Sequence, residues 1–66
     1  MAGAIRRMID DIIEKKSRGT EILITTTKVK LLLKGIDTDR YDETSPDDPV
    51  IMRKLRQAAI EFGVEI

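Results

Sequence analysis

Ile5, Met8, Ile9, Ile12 and Ile13 recur at i, i+3, i+4, i+7 and i+8, with Arg6, Arg7, Asp10, Asp11, Glu14 and Lys15 between them. That period gathers the apolar residues on one side of a helix and predicts an amphipathic helix from about Ala4 to Arg18. Asp11 and Lys15 form an i,i+4 pair in the favourable acid-first order. Lys15, Lys16 and Arg18 oppose the negative end of the helix dipole. Gly19 then supplies a stop, being able to take the left-handed conformation that closes a helix.

A second clear pattern closes the chain. In "SPDDPVIMRKLRQAAIEFGVEI", Asp48 has the chemistry of an N-cap, and Pro49 suits the first helical position, where a missing N–H costs nothing. Asp47 adds negative charge at the positive end of the dipole. Ile51, Leu55, Ala58 and Phe62 form the inward stripe, and Gly63 followed by Val64 fits a Schellman ending, so the helix runs from Pro49 to Phe62.

The middle segment, "GTEILITTTKVKLLLKGID", supports two patterns. Val29, Leu31 and Leu33 alternate with Lys28, Lys30 and Lys34 in a stretch rich in Ile, Val and Thr, as a strand requires. Yet Val29, Leu32, Leu33 and Ile36 also fall at i, i+3, i+4 and i+7, and Gly35–Ile36 repeats the stop seen at Gly63–Val64. No tight-turn pair separates the supposed strands. The balance favours a helix from about Thr26 to Lys34, capped by Thr25 or Thr26, with "EILI" as an extended connector or first strand. "IDTDRYD" then reads as a single turn with Asp37 capping and Tyr41 packing back.

The expected fold is therefore all-α, a small three-helix domain spanning residues 1–66. The alternative is an α+β arrangement of helix, β-hairpin and helix. A chain of 66 residues has surface enough for one core only. Ten Ile, five Leu, three Val and three Met supply that core, with one Phe, one Tyr and no Trp. No Cys is available for a disulfide or a thiolate metal site. The absence of His removes the commonest general base and zinc ligand, so most enzyme classes are disfavoured. No catalytic residue, cofactor or metal is expected. No apolar run has the length of a signal peptide or a membrane span, which gives the expectation of a cytoplasmic protein with no membrane partner.

Charge adds one asymmetry. The net charge is zero, but residues 1–34 carry eight basic and four acidic side chains while residues 35–66 carry the reverse. Six acids lie between Asp37 and Asp48, a density that invites comparison with a calcium loop. Acids stand at loop positions 1 and 3, but Asp42 occupies position 6, where the sharp turn requires Gly, and Asp48 occupies position 12 in place of Glu. Capping work for Asp37, Asp47 and Asp48 leaves Asp39, Asp42 and Glu43 as carboxylates that could meet a basic partner. A paired-carboxylate catalyst would need a desolvated cleft, and Tyr41 and Ile36 are the loop's only apolar neighbours.

The remaining expectation is a non-catalytic protein-interaction or regulatory module. Its partner would be another protein or a second copy of the chain. On the last helix Met52 and Ala59 widen the apolar arc, and Ile60 lies beside Arg53 and Arg56 on the wet side, so these five residues form the expected interface. Nucleic acid is the less favoured partner. Lys28, Lys30, Lys34 and the basic residues of the first helix could contact phosphates, but the pI is near 6.2 and no aromatic stacking platform is present.

Overall fold

A computed structural model describes residues 3–66 as three α-helices and one 3₁₀ turn: α1 (Ala4–Ser17), α2 (Glu21–Leu33), the turn Thr38–Arg40, and α3 (Pro49–Phe62). Among the described residues there is no strand, so the all-α expectation holds and the helix–hairpin–helix alternative does not.

Helix α1 is central and packs against both α2 and α3. Ile5, Ile9 and Ile12 are fully buried on its inner side, and they meet Leu31, Ile36, Leu55, Ala58 and Ala59. Met8, Ile51, Tyr41 and Phe62 close the edges of this cluster. Tyr41 thus packs back as expected. A core made almost entirely of aliphatic side chains follows directly from the composition.

The helix ends obey local chemistry. The Asp48 carboxylate accepts from the Val50 N–H at 2.9 Å, and Asp37 accepts from the Asp39 N–H at 3.1 Å. Both are caps that satisfy otherwise orphaned donors. At the other ends, the Ile36 N–H donates to the Leu31 carbonyl and the Val64 N–H to the Ala59 carbonyl, each at 2.9 Å. These are the long bonds of two Schellman closures, with Gly35 and Gly63 left-handed. Helix α1 ends through Arg18 as well as Gly19, both at positive φ.

Two expectations about the middle segment need correction. Helix α2 begins at Glu21, not near Thr26, so "EILI" is its first turn and not a connector or strand. Glu21 favours the positive end of the dipole there, and the Thr26 and Thr27 hydroxyls find partners within the helix by donating to the carbonyls of Ile22 and Leu23. The second correction concerns the buried face. Val29, Leu32 and Leu33 point to solvent, whereas Thr27, Leu31 and, in part, Ile24 face the core. Ile36 joins the core only because the Gly35 turn folds it back beneath α2, so it does not continue the Val29–Leu33 stripe.

A candidate interaction surface

Successive residues of an α-helix are about 100° apart, which divides α2 into two apolar sides. Ile24, Thr27 and Leu31 make the inner one. Opposite them, Ile22, Thr25, Thr26, Val29, Leu32 and Leu33 fall at i, i+3, i+4, i+7, i+10 and i+11 and cover the outward side without a single charge. Ile22 is 77% exposed and Leu33 is 82% exposed, with Leu32 and Val29 each about half exposed. The Thr26 hydroxyl, one of two in the middle of the face, donates to the Ile22 carbonyl at 2.9 Å and so already has a partner.

All charges of α2 stand at the edges of this face. Glu21 and Lys28 share one edge; Lys30 and the capping residue Lys34 share the other. Large residues at the ends, Ile22 and the Leu32–Leu33 pair, bracket the smaller Thr25, Thr26 and Val29. The resulting profile is a saddle, which allows a second helix to cross closely at its middle.

One edge continues into a basic corner. The Nζ atoms of Lys16, Lys30 and Lys34 lie 6.0, 5.9 and 5.8 Å from the centroid of the Phe62 ring. Lys34 also pairs with Glu61 at 2.6 Å, and Lys16 donates to the Phe62 carbonyl at 3.4 Å. Among the described residues, no carboxylate lies within ion-pairing distance of Lys30. One ring and one carboxylate therefore face three ammonium groups, a local excess of positive charge.

Of the five residues expected to form an interface on α3, Arg53, Arg56 and Ile60 stand exposed at i, i+3 and i+7 on one side of the helix, Met52 is half-buried beside them, and Ala59 is not at the surface. Ala59 is only 2% exposed and belongs to the core, where its small side chain lets α3 approach α1, so its place in the expected interface is corrected. Met52 and Arg56 line a groove between α1 and α3 with Arg7, Met8 and Ile66. Arg53 lies in a different concavity with Lys34, Lys54 and Glu61. Ile60 is 71% exposed and borders neither.

Nor does the acidic segment converge. Among the described residues there is no group of three or more carboxylates placed to hold a metal ion. The Asp42 carboxylate instead accepts from the Thr44 N–H at 2.8 Å and the Thr44 hydroxyl at 2.6 Å, and more distantly from the Ser45 hydroxyl. These bonds, led by the Thr44 hydroxyl, hold its pKa below the usual carboxylate range. Asp42 thus has a structural job that its spacing in the sequence did not disclose.

The outward face of α2 was the feature that sequence reasoning missed. Its signal was present in "EILITTTKVKLLL", which is apolar or Thr on both sides of a helix, a pattern typical of helices covered on both sides. No known protein family, curated protein or solved structure matches this chain, so its functional interpretation rests on the residues themselves. Among the described residues no helix is long and apolar enough to cross a membrane.

Proposed function

We propose that the chain is a cytoplasmic, non-catalytic protein-interaction module and that it binds through the outward face of α2. The observation carrying this reading is that Ile22, Val29, Leu32 and Leu33 stand exposed in one uncharged stripe on a helix whose opposite side already fills the core. Scattered apolar residues on a surface are ordinary, but an aligned row three turns long is a contact surface waiting for a partner. Burying a second face also suits a chain this short, whose own core supplies modest stability.

The test compares two surfaces in the native extract of the host. The double variant Ile22→Glu with Leu33→Lys removes the α2 face with charges that suit each end of the helix dipole. Arg53→Glu with Ile60→Glu disrupts the exposed side of α3. Gel filtration of gently lysed cells is expected to show the wild-type chain in an assembly well above its 7.5 kDa, released by the α2 pair and not by the α3 pair. Migration of the wild type at its own mass, or release by the α3 pair alone, would overturn the proposal.

A further inference from the structure

We infer that the partner seated on α2 is an acidic amphipathic helix, whose apolar ridge lies along Ile22, Val29 and Leu33 and whose carboxylates reach the lysine corner around Phe62. This rests on the proposal that the outward face of α2 is the binding surface, and it adds the chemistry of what binds. Charge complementarity carries it. The uncharged face is edged by three lysines, Lys28, Lys30 and Lys34, against the single acid Glu21. On the Lys30–Lys34 edge, Lys16 of α1 joins the same corner through the Phe62 ring. Glu61 is the one carboxylate paired there, and it bonds Lys34.

An incoming Glu or Asp at this edge would gain an ion pair with Lys30 and would relieve the mutual repulsion of three ammonium groups. Leu33 and Phe62 line the same shallow concavity as Lys30, Lys34 and Glu61, so such a pair would form beside apolar surface and be partly shielded from water. A partner residue placed one turn away on its own helix would then meet Leu33 and Val29. The recognition is of the helix-in-groove kind, with anchors at i, i+3 or i+4, and i+7.

A second copy of the chain fits less well. Pairing α2 with itself antiparallel about a two-fold axis brings the Lys30–Lys34 edge against the same edge of the other copy, although the Glu21–Lys28 edge would then complement itself. Pairing it parallel sets the Lys30–Lys34 edge against Lys28 with only Glu21 to offset it. A lipid surface would accept the lysines and the stripe. However, it has no use for the small waist at Thr25 and Thr26, and the outward side of α2 carries no aromatic residue of the kind that marks an interfacial anchor.

The experiment uses the ¹⁵N-labelled full chain and two synthetic helices that share one Leu/Ile stripe, one flanked by Glu and the other by Lys. Amide shift mapping is expected to show the Glu-flanked helix on Ile22, Val29, Leu33, Lys30 and Lys34, binding at least about tenfold tighter than the Lys-flanked helix at low salt. Lys30→Glu with Lys34→Glu is expected to reverse that preference. Equal binding of both helices to the α2 face would overturn the acidic assignment while leaving the binding face intact. Binding of neither helix to α2 would overturn both. Sedimentation showing a dimer that the Ile22→Glu variant dissolves would replace the acidic helix with a second copy. Tighter, α2-centred binding of anionic vesicles or of a single-stranded oligonucleotide than of the Glu-flanked helix would overturn the proposal in favour of that ligand.

Discussion

The Nη1 atom of Arg6 donates to the Thr38 carbonyl oxygen at 2.9 Å, joining α1 to the turn that lies 32 residues further along the chain. The same nitrogen donates to the Tyr41 carbonyl at 3.0 Å, while Nε and Nη2 hold Asp10. A single guanidinium thus gathers two carbonyls of the acidic segment, the task that the density of acids there had suggested for a metal. The Arg fork makes all four of these bonds from one rigid plane, one more than the three donors of a Lys ammonium could supply.

Arg6→Ala should therefore cost about 2 kcal/mol of unfolding free energy, in the range of hydrogen bonds to a charged donor. Arg6→Lys should recover less than half of that. Asp10→Asn should cost no more than about 0.5 kcal/mol, because that carboxylate is largely exposed and its ion pair is an i,i+4 pair in water. Urea unfolding of the three variants separates the two roles. A loss below 0.5 kcal/mol in Arg6→Ala would show that the clamp contributes little.

Gly3 makes a comparable fastening at the start of α1. Its N–H donates to the Ser45 carbonyl at 3.1 Å, its φ is 91°, and a Cβ there would come within 2.9 Å of the Glu43 carbonyl oxygen. Gly19 is equally left-handed, at φ 83°, but a Cβ on it would meet open space. Gly19→Ala should cost about 1 kcal/mol, the usual penalty of the left-handed region for a residue with a Cβ. Gly3→Ala should cost at least about twice that, since the Glu43 backbone must also move. Equal losses in thermal unfolding would mean that the loop yields freely.

The acidic segment should also respond to pH through Asp42. Its carboxyl is held below the ordinary value by Thr44 first and Ser45 less, so the folded pKa is depressed. A depressed pKa contributes stability that is fully present above the unfolded value, near 3.9, and is lost as pH falls through the folded one. A ¹³C carboxyl titration should place the Asp42 midpoint below that of a model Asp peptide, with the Thr44 amide shift following it. Asp42→Asn should remove the Thr44 response. An Asp42 midpoint at or above the peptide value would contradict these bonds.

Much of this was legible from local signals. Ala4–Ser17 and Pro49–Phe62 follow from a 3.6-residue stripe with a glycine stop, to which the second adds the Asp48 cap, and each lies within one residue of its expected bounds. The Gly35–Ile36 closure was equally readable, because a Schellman turn is made by adjacent residues. The start of α2 was not, since Ile22, Ile24 and three consecutive Thr are poor helix formers when considered alone. Packing of Ile24, Thr27 and Leu31 on α1 decides their state. Which side of α2 faces inward was hidden for a related reason: with apolar residues on both sides, only the position of α1 distinguishes them. Asp42 and Arg6 were unreadable because their partners are set by a loop conformation and by a contact across half the chain.

The central claim is that the outward side of α2 is kept apolar for contact and not for folding, and the unfolding free energy of the purified chain at low micromolar concentration tests it most directly. Domains of this length are stable by roughly 3–10 kcal/mol, so a core truncation such as Leu55→Ala, at about 2–5 kcal/mol, removes much of the total. Ile22→Glu with Leu33→Lys, at positions 77% and 82% exposed, should instead leave the unfolding free energy within about 0.5 kcal/mol of wild type. A loss of 2 kcal/mol or more, approaching that of Leu55→Ala, would contradict the account by showing that this face already serves the fold.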